Sequence, residues 1–179
     1  MKRPTTYALC SLAAAALTAA GLVVSGEAAG KAEPPTTAAL ERTRNTVRML
    51  DDVYKSAIVL ITDKYVHDTD DFPAGAAAVQ WFEGITKKGW HEVRLLDATG
   101  EPYDDENVAR DEFEREGIRQ LKAGQPYYEQ VVDKGGRAHL RAVTPVPVVM
   151  QKCVMCHPHY ADARKGEAIG AISYTVKIE

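Results

Sequence analysis

Apolar side chains recur every three or four residues from position 40 to 65, and charged side chains fill much of the rest of this stretch. The apolar series includes Leu40, Val47, Leu50 and Tyr54. This spacing is typical of an α-helix with one apolar face. The sequence therefore predicts one long N-terminal amphipathic helix.

Two shorter helical patterns follow. The acidic stretch 67–73 interrupts the first pattern, and Asp71 is a suitable N-cap for a second helix over 73–88, which Gly89 closes. A third helix is predicted over 109–124.

Four segments have the composition of β-strands. They are 90–97, the hairpin pair 127–133 and 139–149, and the C-terminal segment 168–178. In the last segment the larger apolar side chains alternate, which places one set on a single face: Ile172, Tyr174, Val176 and Ile178. The order of elements predicts an α+β fold, a PAS-like antiparallel sheet flanked by helices that lie on one side of it.

The N-terminus has the layout of a secretory signal peptide. Lys2 and Arg3 precede an apolar run over 8–24, and small residues fill most of 26–30. We therefore predict a signal peptide over 1–30 and a protein exported to the periplasm. The alternative is an uncleaved anchor, which at 17 residues is at the short limit for spanning a bilayer.

The remaining chain has the size of one domain. We expect a flexible lead-in over 31–39 and a single domain over 40–179. Removing the first 30 residues reduces the 22 basic and 25 acidic residues to 20 and 24, so the domain is mildly acidic. Because no basic patch is interleaved with aromatic residues, nucleic acid is not an expected partner. Membrane contact is expected only if the signal sequence stays uncleaved.

The segment "KCVMCHPHY" carries the main chemical signal. Cys153, Cys156 and His157 form the Cys-x-x-Cys-His pattern of covalent haem attachment, in which each thiol adds to a vinyl group of haem and the histidine binds the iron. The third cysteine, Cys10, lies in the predicted signal peptide. We therefore predict one covalently attached haem c, with His157 as its proximal ligand.

Three other uses of this cysteine pair stay open. A zinc site would need further ligands, and the adjacent Cys156 and His157 cannot easily both reach one tetrahedral ion. A redox dithiol is typical of the start of a helix after a strand, whereas here Pro158 and a loop are expected. A disulfide would close a very short loop and stabilise little.

Three stretches together resemble a known family. They are "GWHEVRLLDATGEPYDDENVARDEFERE", "LRAVTPVPVVMQKCVMCHPHY" and "GEAIGAISYTV". They are similar to small exported c-type haem proteins with a PAS-like fold, the Tll-type haem proteins of cyanobacteria and their relatives. The resemblance runs from about residue 40 to the end. It implies thioether bonds at Cys153 and Cys156, an axial His157, and Arg94 near the haem.

The sixth iron ligand is the point on which this chain departs from the family. The prototype supplies a cysteine from its long N-terminal helix, and the corresponding place here is near Ile61. We consider His91 as a sixth ligand and an open iron site as the alternative. Arg94 and Arg141 are the candidate partners of the haem propionates, because a guanidinium matches a carboxylate in shape and charge.

These features predict a haem protein, and two roles for it stay open. The first hypothesis is a module that senses redox state or binds a small gas such as NO or CO. The alternative is a periplasmic electron carrier with two firm axial ligands and a redox partner protein. An enzyme such as a small peroxidase would need a distal acid–base pair, which the sequence does not reveal, so catalysis is the least expected role.

Overall fold

The computed structural model describes residues 33–179, and the predicted signal peptide over 1–30 lies outside the described residues. The helices are α1 (Thr37–Tyr65), α2 (Ala74–Lys87), α3 (Glu112–Lys122) and the short α4 (Gln151–Cys156). The strands are β1 (Glu92–Asp97), β2 (Tyr128–Asp133), β3 (Ala138–Pro147) and β4 (Ala168–Lys177). Two 3₁₀ turns lie at Asp105–Asn107 and Pro158–Asp162.

The four strands form one antiparallel sheet in the order β1-β4-β3-β2. The last strand in sequence, β4, is thus central and pairs with both β1 and β3. An antiparallel sheet flanked by helices confirms the predicted α+β class, and this architecture is consistent with a PAS-like domain.

Helices α1 and α2 cover one face of the sheet. Val47 and Tyr54 of α1 and Phe82 of α2 are buried against strand side chains of this face. The strand side chains include the alternating set predicted for β4: Ile172, Tyr174 and Val176, with Ile178 partly buried beside them. The predicted apolar face of the last strand is therefore confirmed.

Helix α3 lies on the opposite face, so the expectation that all helices lie on one side is wrong. Phe113 and Leu121 of α3 pack with Leu96, Val143 and Ala171 of the strands. Successive residues of a strand point to opposite faces. Because β3 and β4 carry buried residues in both alternating sets, each face of the sheet needs a cover.

The ends of the first two helices differ in part from the sequence prediction. Helix α1 begins at Thr37, where the Thr36 hydroxyl accepts the Ala39 backbone N–H at 3.2 Å. Helix α2 begins after Pro73 without a side-chain cap, so Asp71 is not its N-cap. The carboxylate of Asp71 instead accepts a hydrogen bond from the His67 backbone N–H at 2.6 Å, which stabilises the turn after α1.

No helix within residues 33–179 is long and apolar enough to cross a membrane.

Gly117 is the point of closest approach between α3 and β3, and it gives a prediction for stability. A Cβ added there would lie 2.7 Å from Cγ2 of Val143, a side chain with no exposed surface. Overpacking of this kind costs about 1–3 kcal/mol, and the better helix propensity of alanine offsets about 1 kcal/mol. We expect Gly117→Ala to lower the free energy of unfolding by about 1 kcal/mol in urea denaturation.

Gly84 of α2 is the matched control, because a Cβ added there meets nothing within 4 Å. Gly84→Ala should raise stability by about 0.5–1 kcal/mol through helix propensity alone. Equal effects of the two substitutions would show that the contact between Gly117 and Val143 does not limit packing.

Candidate functional site

The two cysteines of the haem-attachment pattern lie on helix α4. The sequence predicts a loop after the strand over 139–149, but Gln151–Cys156 forms a helix of six residues. Cys153 and Cys156 are three positions apart, so their side chains lie on the same side of the helix. Both are free thiols and both are partly exposed. The structure therefore presents two unpaired thiols side by side and contains no disulfide between them.

His157 ends this helix because a proline follows it. A residue before proline is disfavoured in the helical region, and His157 has φ −127° and ψ 75°. Pro158 then opens the 3₁₀ turn Pro158–Asp162, where its missing N–H is no loss. The proline thus turns the chain directly after the second cysteine and sets the direction in which the imidazole leaves α4.

Lys152 attaches α4 to the C-terminal end of α1. Its ammonium group donates to the carbonyl oxygens of Asp63 and Val66 at 2.7 Å each, and to that of Thr62 at 3.5 Å. Carbonyl groups in the last turn of a helix have no partner within the helix, and they attract cations. The residue next to Cys153 is therefore held by the long N-terminal helix.

The His157 ring lies between two tyrosine rings. Tyr160 stacks on it with a centroid distance of 4.5 Å, and Tyr103 from the loop after β1 stacks at 4.4 Å. Tyr103 is 67 % exposed, so it covers the imidazole from the solvent side. The site therefore combines residues of α4, the following turn and the loop that contains Tyr103.

This enclosure favours the neutral form of the imidazole. Burial lowers the pKa of His157, and nearby His159 lowers it further, while Asp97 opposes them. Nδ1 of His157 is buried and has no hydrogen-bond partner among the described residues. Neutral imidazole is the form that binds metal ions. Burial also raises the pKa of Tyr160 to about 12, so its phenol stays protonated.

His159 is the second histidine at the site. Its ring meets that of His157 edge-on at 5.7 Å, and its buried Nε2 has no partner among residues 33–179. No three His, Cys, Asp or Glu side chains in this described part of the chain are grouped so that they could hold a metal ion. The described residues thus do not form the ligand set that the zinc alternative needs.

Two neighbouring clefts lie beside the site, with volumes of about 270 and 340 Å³. They share Ala98, Thr99 and Lys122, and the smaller one is also lined by His159 and Tyr160. The larger cleft reaches the apolar surface of the loop after β1 and helix α3. The space next to the histidines is therefore bordered on one side by this loop.

The two predicted propionate partners, Arg94 and Arg141, both lie next to the buried carboxylate of Glu114 in α3. Arg94 forms an ion pair with Glu114 at 2.5 Å, and Arg141 lies 3.9 Å from the same carboxylate. Arg141 also pairs with Asp111 at 2.6 Å and lies over the Phe113 ring at 4.2 Å. The structure thus brings the two arginines, which belong to β1 and β3, together at Glu114 of α3 and not at the cysteine segment.

Arg94 also holds the loop that contains Tyr103. Its guanidinium donates to the backbone carbonyls of Glu106 and Val108 at 2.8 and 3.2 Å. It therefore acts on the site at a distance, by fixing the loop whose tyrosine covers His157.

The predicted sixth ligand, His91, lies at the other end of β1. The strand places it six residues, or ~20 Å, from Asp97, which is close enough to His157 to affect its pKa. Its Nε2 is hydrogen-bonded to the Tyr54 hydroxyl at 2.8 Å. The described arrangement does not bring His91 and His157 together.

Sequence reasoning missed four residues that shape the site, namely Tyr103, Tyr160, Glu114 and Lys152. A signal for Glu114 was present, because Asp111 and Glu114 have the spacing of a helix-capping pair, and Asp111 does accept the Glu114 N–H at 3.0 Å. The other three depend on contacts across the fold and carry no local signal.

The sequence matches the model of a protein family described as Tll0287-like over residues 32–176. The chain belongs to the Tll0287-like family. The matched range begins before α1 and ends one residue short of the end of β4, so it includes all the elements that build the site. No curated protein matches the chain.

The ion pair between Arg94 and Glu114 gives a second prediction. Arg94→Met leaves the Glu114 carboxylate, whose side chain is 4 % exposed, with the backbone N–H of Arg110 and the more distant charge of Arg141. Removing one partner of a buried pair costs about 3 kcal/mol or more. We expect Arg94→Met to lower the free energy of unfolding by about this amount in urea denaturation. Arg115→Met, which removes an exposed pair with Glu112, should change stability by less than about 1 kcal/mol. Losses of equal size would contradict this account.

The contacts of Lys152 give a third prediction. Lys152→Met removes the cation from the last turn of α1, at a cost of about 1 kcal/mol. Amide hydrogen exchange in that turn should then accelerate about fivefold, because 1 kcal/mol corresponds to about that factor. The exposed Lys165 is the control, and Lys165→Met should leave α1 unchanged. Unchanged exchange in Lys152→Met would show that α4 does not support α1.

Proposed function

We propose that this protein is an exported mono-haem c-type cytochrome whose PAS-like domain senses redox state or binds a small gas such as NO or CO. Membership of the Tll0287-like family supports this at the family level only. The haem, its attachment and the periplasmic location are parts of the proposal.

The observation that carries the proposal is the geometry of α4. Two free thiols lie on one side of the helix, and a histidine held in its neutral form follows directly. The buried, unpaired Nδ1 of that histidine belongs to a ring whose contacts are mainly aromatic and not polar. These residues fit a covalently bound haem, with Cys153 and Cys156 as thioether sites and His157 as axial ligand.

A bound haem would supply an iron that changes oxidation state or takes a diatomic ligand. The chain's own residues have separate roles around it. Cys153 and Cys156 would fix the group in place, and His157 would donate a nitrogen, with its ring held by Tyr160 and Tyr103. Arg94 and Glu114 act indirectly, by holding the loop to which Tyr103 belongs.

A sensing role is favoured over plain electron transfer by the contact between α4 and α1. Lys152 links the segment of the thiols to the last turn of a helix 29 residues long, about 43 Å. A shift of α4 on ligand binding or reduction would therefore act on the end of a long rigid element. Electron transfer to a redox partner protein is the alternative.

Absorption spectroscopy of the full chain, expressed with a c-type maturation system, tests the proposal. We expect a Soret band that stays with the polypeptide in denaturing gels and shifts when CO is added to the reduced protein. A Soret band that ignores CO would point to two firm iron ligands and favour the electron carrier. Absence of a Soret band while a known c-type cytochrome matures in the same cells would overturn haem binding.

Variants separate attachment from ligation. Cys153→Ala combined with Cys156→Ala should abolish the covalent haem. His157→Ala should keep the haem attached but alter its spectrum in both oxidation states, because the axial nitrogen is lost. His67→Ala, which changes an exposed histidine in the turn after α1, is the control and should leave the spectrum unchanged. A spectrum that is unaltered in His157→Ala would contradict the axial assignment.

A further inference from the structure

We propose that Tyr54 is a redox-active tyrosine that loses one electron while passing its phenolic proton to His91, with Trp81 as the point at which oxidants reach it. This site lies between the α1–α2 layer and β1 and does not include α4. It gives a chemical role to His91, which the proposed haem function leaves unused.

The first observation is the hydrogen bond that joins Tyr54 to His91. The Tyr54 ring is 4 % exposed, and its hydroxyl oxygen lies 2.8 Å from Nε2 of His91. A phenol radical cation is a very strong acid, so oxidation of a buried tyrosine requires a base within hydrogen-bond distance. The imidazole nitrogen of His91 is such a base, and the two groups are already in contact.

The second observation is that His91 can accept a proton. Burial lowers the pKa of His91, which keeps the ring neutral near pH 7. A neutral imidazole has one nitrogen that accepts a hydrogen bond, and Nε2 faces the hydroxyl.

The third observation is a path of aromatic rings to the surface. Trp81 meets Tyr54 edge-on with a centroid distance of 5.1 Å, and it is only partly buried. Tyr54 therefore touches an indole that solvent can reach. Electron transfer between rings in contact is fast, since orbital overlap falls steeply with separation.

Tyr174 is the rival candidate, and its surroundings favour Tyr54. Tyr174 stacks on Tyr54 at 6.3 Å and has no exposed surface. Its hydroxyl donates to Asp51 at 3.0 Å, but that carboxylate also accepts Thr144 at 2.6 Å and pairs with Lys55 at 2.8 Å. Both oxygens of this carboxylate thus already accept other donors. Burial and Asp51 raise the pKa of Tyr174, so its proton is held firmly.

The proposed step is balanced as follows. A one-electron oxidant of the metal-complex class, such as a ruthenium(III) polypyridyl, takes an electron from the partly exposed Trp81 and is reduced to ruthenium(II), and an electron from Tyr54 then reduces the oxidised indole. The O–H bond of Tyr54 breaks, and the proton bonds to Nε2 of His91, which leaves a neutral tyrosyl radical beside an imidazolium. A small-molecule reductant returns the electron, and the proton goes back to the phenolate oxygen. The protein thus holds and releases oxidising equivalents away from its thiols.

The experiment uses the full-length protein and photogenerated tris(bipyridine)ruthenium(III) as the oxidant. We expect an electron paramagnetic resonance signal of a tyrosyl radical that narrows when the tyrosines are ring-deuterated. Tyr54→Phe should abolish the main signal, while Tyr128→Phe, in a ring pair with Phe113 on the other face of the sheet, should retain it. An unchanged tyrosyl signal in Tyr54→Phe would overturn the proposal.

His91→Gln tests the proton transfer separately from the hydrogen bond. Glutamine keeps an acceptor near the hydroxyl but has no basic nitrogen. We expect radical formation to slow about 100-fold, the contribution of a positioned general base. An unchanged rate would show that His91 is only a hydrogen-bond partner. Circular dichroism confirms that each variant is folded, and Trp81→Phe should slow the reaction without removing its product.

This result does not depend on the proposed haem. The same measurements on the Cys153→Ala and Cys156→Ala double variant remove the attachment sites and leave Tyr54 in place. A radical at Tyr54 in that variant, with no Soret band in the parent, would refute the haem proposal alone. The reverse pattern, a Soret band without a Tyr54 radical, would refute the tyrosine proposal alone.

Discussion

The buried carboxylate of Glu114 is the constraint on which one side of the molecule depends. A carboxylate at this depth is tolerated only with cations and N–H donors around it. Arg94 of β1 and Arg141 of β3 supply the charges, and the Arg110 backbone N–H donates to it at 2.8 Å. These groups come from two strands and from the start of α3. A single charged side chain therefore fixes the helix to the sheet and, through Arg94, the loop above the cysteine segment.

The two faces of the sheet use different physical chemistry. The face under α1 and α2 is rich in aromatic rings, and the hydroxyls of Tyr54 and Tyr174 have their partners, His91 and Asp51, within that layer. The face under α3 combines a smaller apolar cluster with the ion pairs of Glu114. The candidate site lies where α4, the turn after it and the loop after β1 meet, so it depends on α3 through the ion pair of Arg94 and on α1 through Lys152. Two distinct kinds of interaction thus hold the two sides of one site.

Periodicity in the sequence was sufficient for the long helix, the hairpin and the buried face of β4, because each depends on the side chains of one segment. It was not sufficient for α4, a single turn of helix stabilised by Lys152 contacting residues about 90 positions earlier. The side of the sheet on which α3 lies also depends on partners elsewhere. Arg94 was linked to a cofactor by resemblance, whereas its partner in the structure is a buried acid 20 residues away. Long-range charge pairing leaves no periodic trace in a sequence.

The central position of β4 has a consequence for how the sheet is assembled. Both β1 and β3 pair with this strand, yet it is the last of the four strands of the sheet in sequence order, Ala168–Lys177. The four-stranded sheet cannot form until β4 has been synthesised, because β1 and β3 both pair with it. Contacts between distant segments also form late in folding. Cys153 and Cys156 emerge before β4 and precede the closure of the domain. During synthesis there is therefore an interval in which both thiols are accessible on an unfolded segment, before α4 packs against α1.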